Sequence, residues 1–245
     1  MDDNILDRPS PVEPESQPPP LIPRLGTYIL LFFLLVIWPA IGLLFLFTDR
    51  DLNLDLFDPV LFIYVPTIII EWLLFAAVIM AVRYEKSPFR TIGFDRLRWS
   101  YLPLAAGFLI ASNTILMGLQ FLLDKMGLPV DKAVDQIVAR AGESVWWWLA
   151  VSVTAAVCEE ACFRGYILSR VKHITGKGWV LPVILATVSF AAGHTYQGWG
   201  GFILIFIYGL MFCWLYVKTG SLWPGIVVHF VQDFAAIFLY RWFGF

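Results

Sequence analysis

Two adjacent glutamates, Glu159 and Glu160, lie inside an apolar stretch, and Arg164 follows Glu160 at helical spacing. His194 lies in a later apolar stretch, and His229 with Asp233 in another. Ionisable groups in hydrocarbon cost several kcal/mol each, so residues of this kind point to a function. Carboxylates and imidazoles move protons near neutral pH, and several of them in one dry place suit general acid and base work on water.

The spacings sort these groups. Glu160 and Arg164 are four apart and share a helix face, so an ion pair within the helix lowers the penalty for both. Glu159 is turned by about 100° from its neighbour and stands outside easy reach of Arg164, which leaves one carboxylate held and one available as a base. A pair of helix-stabilising buried charges is the plainer alternative. The run Phe190, Ala191, Ala192, Gly193, His194 lets a neighbouring helix come close and delivers one imidazole. A lone histidine is more often packing, and only the other polar residues give this one weight. His229 and Asp233 again share one face, either for chemistry or as a pair that satisfies itself.

Cys158, Cys162 and Cys213 are odd in number and lack zinc-ribbon spacing. Cys158 and Cys162 flank the glutamates one turn apart, which raises a thiol nucleophile; small apolar packing is the preferred reading. Two histidines with Glu159 and Asp233 could also ligate zinc, Glu159, His194 and His229 being the ligand set in that case. The spacing is not HExxH, and a metal-free glutamate mechanism without a cofactor is the expectation.

The elements that must position these groups are membrane helices. Hydrophobic residues make up 59% of the chain, aromatic 17% and charged only 15%, more apolar than a soluble domain of this length. The net charge of -2 and the scattered basic residues argue against a nucleic-acid partner and leave the lipid bilayer as the expected surroundings. Residues 1–25 are polar, acidic and proline-rich, and are expected to form a disordered cytoplasmic tail. Residues 26–245 read as one transmembrane helical bundle, all-α, of about seven spans near 26–47, 60–82, 101–123, 145–169, 179–197, 201–217 and 222–242. Arg83, Lys86, Arg90, Arg96 and Arg98 in one loop, and Arg170, Lys172 and Lys177 in another, place both on the cytoplasmic side with the amino terminus inside. Arg50, beside Asp49 and Asp51, and Lys125, Lys132 and Arg140 fall on the other side and weaken that bias. Trp146, Trp147, Trp148 and Trp223 are expected as interfacial anchors.

Depth tests whether the groups can meet. At about 1.5 Å per residue, Glu159 stands about 16 Å from Arg170, His229 about 12 Å from Ser221 and His194 about 24 Å from Gly178. His194 is then too deep by about 10 Å, so the fifth helix has to tilt, begin later or open from a hydrated recess.

Glu159-Glu160-xxx-Arg164, Phe190-xxx-His194 and His229-xxx-Asp233, in that order, resemble the CAAX prenyl endopeptidase and bacteriocin-processing family, also called the Abi family. The lead-in Thr219, Gly220, Ser221, Leu222, Trp223, Pro224, Gly225 before His229 is similar as well. The resemblance covers a catalytic region of about 145–242 and implies an intramembrane endopeptidase with a conical cavity. In it Glu159 and His194 activate water, His229 and Asp233 stabilise the oxyanion, and Glu160 and Arg164 hold the frame. The family often has asparagine where this chain has Asp233; an ionised aspartate accepts hydrogen bonds and could instead orient and charge His229. The spans up to Trp148 carry only the membrane setting in this comparison. The implied substrate is a membrane-associated protein or peptide, and the implied place a bacterial cytoplasmic membrane. The rival reading is a non-enzymatic transporter, immunity protein or scaffold that uses the polar cluster for binding, with Glu71 and Asn113 extending the polar path.

Overall fold

The computed structural model describes residues 22–44, 58–130, 137–138, 145–176 and 178–243. Its long helices are α1 (Leu25–Leu44), α2 (Val60–Tyr84), α3 (Tyr101–Lys125), α4 (Val145–Thr175), α5 (Val180–Gly193), α6 (Gly198–Thr219) and α7 (Trp223–Phe243), joined in part by short 3-10 turns at Phe89–Ile92 and Thr195–Gln197. Among the described residues, α1 to α4 and the stretch Thr195–Thr219 are long and apolar enough to cross a membrane. Val180–Gly193 and Trp223–Leu239 are apolar but short against the roughly 20 residues a full span takes. The protein is an all-α, multi-pass membrane protein. Residues 1–21 of the expected tail, Asp49, Arg50, Asp51, Lys132, Arg140 and Lys177 lie outside the described residues.

Three stretches widen into π turns: Phe33–Ile37, Val60–Tyr64 and Glu160–Ile167. The first two precede Pro39 and Pro66, whose missing N–H and bulky ring break the regular ladder. Glu160–Ile167 contains no proline and carries Glu160 and Arg164, in keeping with the tendency of π turns to mark functional positions.

α2 and α4 run parallel. Tyr64 meets the Trp148 ring edge-on at 6.3 Å, Trp72 Nε1 donates to Thr154 Oγ1 at 3.0 Å, and Arg170 reaches Glu85 just beyond the end of α2. That last contact corrects the sequence reading of Arg170 as a loop residue. α4 continues to Thr175, and Arg170 is sealed inside the protein. Its Nε and Nη2 both donate to Glu85 Oε2, at 2.9 and 2.6 Å, while Thr27 and Tyr166 donate to Glu85 Oε1. A buried pair of this kind survives because nearly every polar atom has a partner.

The longer α4 also removes the depth conflict. Counted from Thr175, Glu159 lies about 24 Å from the helix end, and His194 lies about 21 Å from Val180 at the start of α5. α7 starts deeper still. Leu222 N donates to Gly93 O, and a Cβ on Gly165 would stand 2.7 Å from Ile92 O and 3.3 Å from Leu222, so the loops before α3 and α7 tuck in at the level of Gly165. Glu159 is six residues from Gly165, and His229 six from Trp223 at the start of α7, about 9 Å in each case.

α1 braces α5 through contacts that only small residues permit. A Cβ on Gly42 would run into the Ala192 carbonyl, and one on Gly193 would stand 2.5 Å from Trp38 Nε1. Ser189 Oγ donates to Leu34 O, and Thr195 Oγ1 donates to Gly42 O. The first helix therefore holds the turn that bears His194, and the early spans do more than supply a membrane setting. Two of the tryptophans expected as anchors also brace the fold. Trp146 and Trp147 are exposed, but Trp148 is buried with its indole N–H on Asp233 O at 2.9 Å, and Trp223 donates to Asp95 O at 2.7 Å. Each ties its helix to another element.

Candidate functional site

Glu160 and Arg164 sit back to back on the π turn of α4, both almost fully buried, with Arg164 Nη1 3.1 Å from Glu160 Oε1. The approach is close but poorly aligned, and Nη1 makes no hydrogen bond of good geometry. The guanidinium is instead sandwiched by aromatic faces, 4.1 Å from the centre of the Phe190 ring on α5 and 5.1 Å from that of Phe212 on α6. Attraction to two ring quadrupoles compensates part of its lost hydration. This charge thereby clamps three helices.

Across from it, α7 runs antiparallel to α4 and brings His229 between the carboxylates. Nδ1 is 3.3 Å from Glu160 Oε1; Nε2 is 3.5 Å from Asp233 Oδ2 and 3.6 Å from Glu159 Oε2. Both ring nitrogens face carboxylate oxygens, and the Nδ1 approach to Glu160 is the one within hydrogen-bond geometry. Glu160 is thus more than frame, since it holds the far side of this imidazole. Gly225 makes room, because a Cβ there would stand 2.8 Å from Glu160 Oε2.

His194 closes the group from the end of α5. Its Nδ1 lies 2.9 Å from Phe190 O, a carbonyl that only accepts, so Nδ1 carries a proton and Nε2 faces Glu159. Nε2 is 3.9 Å from Glu159 Oε1, too far for a direct bond and right for a water that donates to both. The six residues expected to form a site are brought together by three helices.

Residues 141–235 match the family model for type II CAAX prenyl endopeptidase Rce1-like. Those residues are a CAAX-protease-like domain. All six site residues fall inside it. No curated protein and no solved structure matched the chain.

Within the CAAX-protease-like domain, access separates the groups. The side chains of Glu159, His194 and Asp233 keep 14%, 18% and 34% of their surface open, against 1% for Glu160 and 2% for Arg164. The outer three are reachable by a small molecule and the inner pair is not. Glu71 of α2, outside the matched residues, is drawn in as well. Trp72 opposite Thr154 sets it about one and a half turns from Glu159 along α4, within electrostatic reach of Glu159, His229 and Asp233. Its Oε2 is buried without a partner. Asn113 by contrast donates to Leu109 O at 2.8 Å and reaches Gln232 Oε1 at 3.5 Å, so it ties α3 to α7.

Sequence spacing did not single out Gln232, Tyr208 or Tyr196. Tyr208 donates to Gln232 Oε1, next to Asp233. Tyr196, on the 3-10 turn after His194, sets its ring 6.0 Å from that imidazole and accepts a hydrogen bond from Gln197 Nε2 at 3.3 Å. Its place two residues past His194 was the one available signal. Cys158, Cys162 and Cys213 are all free and buried. Among the described residues no group of three or more His, Cys, Asp or Glu side chains is placed to hold a metal ion.

Proposed function

We propose that the protein is an intramembrane endopeptidase that hydrolyses a peptide bond of a membrane-associated protein or peptide. The observation that carries this reading is the convergence of two proton-transfer groups on one point: Glu159 Oε1 and His194 Nε2 face each other 3.9 Å apart. A water held there donates to both, and its proton has somewhere to go as its oxygen attacks. His229 keeps Glu159 in place through Nε2 and brings an N–H-bearing ring close to the negative charge that develops on the substrate. Asp233 acts on His229 as a carboxylate supporting an imidazole, and Glu160 does the same from the other nitrogen.

The water oxygen adds to the carbonyl carbon, one proton passes to the Glu159–His194 pair, and that proton is returned to the nitrogen as the C–N bond breaks. Zinc held by Glu159, His194 and His229 is the alternative. The metal-free route is preferred because the spacing of these residues is not that of an HExxH zinc site. The shorter helices α5 and α7 complete a bundle of seven crossings around a conical cavity, with the amino terminus on the cytoplasmic side of a bacterial membrane. CAAX-type or leader and tail processing fits such a cavity.

The test is cleavage of a lipid-anchored fluorogenic peptide by the purified protein in vesicles, beside Glu159→Gln and His194→Ala. Each substitution should lower turnover by about 10²- to 10⁴-fold while the melting curve holds. Equal absence of cleavage in all three would favour the transporter or scaffold reading.

A further inference from the structure

Where the ends of α4 and α6 meet the start of α5 and the turn before α3, the chain encloses a second cavity of about 440 Å³. That is within the ~300–1,000 Å³ usual for ligand sites. Arg170 forms its floor, about 16 Å along α4 from Glu159, so the cavity is separate from the Glu159–His194 position. This floor is already satisfied. Glu85 accepts from Nε and Nη2, and Thr91 and Ser169 accept from Nη1 at 3.3 and 3.1 Å. Both hydroxyls pass their own hydrogens to backbone carbonyls, Pro88 O and Gly165 O.

The surplus charge comes from the walls. Lys172 is half-buried with Nζ 3.6 Å from the centre of the Trp179 ring, and His173 is exposed at the rim. Among the described residues neither is paired with a carboxylate. The acids at this end are spent, Glu85 on Arg170 and Asp95 on the Ser221 hydroxyl. The exposed basic residues of segment 83–98 and Lys218 add to a field of one sign, which a cleft concentrates. The cavity is therefore built for an anion.

What carries that anion is written on α5. The helix leaves the cavity at Trp179, and Leu181, Ile184 and Val188, spaced i, i+3 and i+7, are exposed along one face of it. In a multi-pass membrane protein such a stripe lies against acyl chains. We propose that the cavity binds the phosphodiester headgroup of an anionic membrane lipid. Lys172 and His173 donate to the phosphate oxygens, and the acyl chains run along Leu181, Ile184 and Val188. The Trp179 ring fixes the ammonium and leaves it N–H groups for the phosphate. Basic pockets between helix ends bind lipid headgroups in this way. No bond is cut here, so the test stands apart from that of proteolysis.

Delipidated full-length protein in detergent micelles is titrated with phosphatidylglycerol or phosphatidylcholine of matched chains, and bound lipid is counted by native mass spectrometry. Wild type is compared with Lys172→Gln/His173→Gln, with Lys172→Arg, and with Arg83→Gln/Arg98→Gln, which removes two charges outside the cavity lining. Wild type should prefer phosphatidylglycerol, and Lys172→Arg and Arg83→Gln/Arg98→Gln should keep that preference. Lys172→Gln/His173→Gln should lose about fivefold to thirtyfold of it. No preference in wild type overturns the site, and so does a preference that survives Lys172→Gln/His173→Gln. An equal loss in Arg83→Gln/Arg98→Gln also overturns it, because diffuse surface charge then does the binding. A loss that Lys172→Arg shares, with a lower melting temperature in both, marks a fold effect and likewise overturns it. Release of the lipid by inorganic phosphate at equal concentration overturns the lipid as occupant and leaves a free-phosphate site.

Discussion

Replacing Arg164 with methionine tests whether the innermost pair is held by charge. The substitution keeps most of the volume between Phe190 and Phe212 and leaves His229 as the basic partner of Glu160 among the described residues. At 3.1 Å and an effective dielectric of 20, the Glu160–Arg164 attraction is about 5 kcal/mol before desolvation. Removing one member of a buried pair costs about 3–5 kcal/mol in soluble proteins, and the two ring contacts add about 1–2 kcal/mol. Two facts pull the figure down: Nη1 is poorly aligned on the carboxylate, and a chain unfolded within the bilayer finds other polar partners. About 3 kcal/mol is therefore expected for Arg164→Met. Reversible unfolding in mixed micelles, followed by tryptophan fluorescence, measures it. The double variant Glu160→Gln/Arg164→Met should recover most of that loss, because no uncompensated charge is left behind. Its turnover should stay low, because His229 Nδ1 has lost a carboxylate. A loss under about 1 kcal/mol in the single variant, or a double variant less stable than the single, would refute the reasoning.

Gly42→Ala should push α1 away from Ala192, cost about 1–3 kcal/mol on unfolding in micelles and lower turnover by displacing the His194 turn. Exhaustive chelation should leave peptide cleavage intact, and loss of cleavage restored by added zinc would establish the metal route instead. Cys158→Ala and Cys162→Ala, measured with the same vesicle assay, should retain turnover within about tenfold, since both thiols are treated as packing; a drop beyond about 10³-fold in either would revive a thiol nucleophile. Glu85→Gln should destabilise the protein by about 3 kcal/mol through the stranded Arg170 guanidinium, and Arg170→Met in the same background should restore part of it.

Much of the site was legible because its members announce themselves: a carboxylate or imidazole in an apolar run is conspicuous at any resolution of pattern. Spacing correctly paired Glu160 with Arg164 and His229 with Asp233, which are neighbours along a single helix. The same local view failed wherever the partner lay far along the chain. Arg170 looked like the start of a basic loop because Glu85 is not visible from its surroundings. The bracing roles of Trp148 and Trp223 were invisible because their acceptors, Asp233 O and Asp95 O, belong to other elements. The false end of α4 at Arg170 then produced the depth conflict for His194.

By itself the sequence determined the class of molecule, the identity of the six polar residues and the helices that carry them, since composition and periodicity are properties of a chain read in order. Only the tertiary structure decided that His229 stands between three carboxylates, that Glu71 and Tyr196 adjoin the same place, and that α1 props the turn behind His194. Those relations depend on how helices are shifted and rotated against one another, and that is set by small residues and buried polar partners dozens of positions apart.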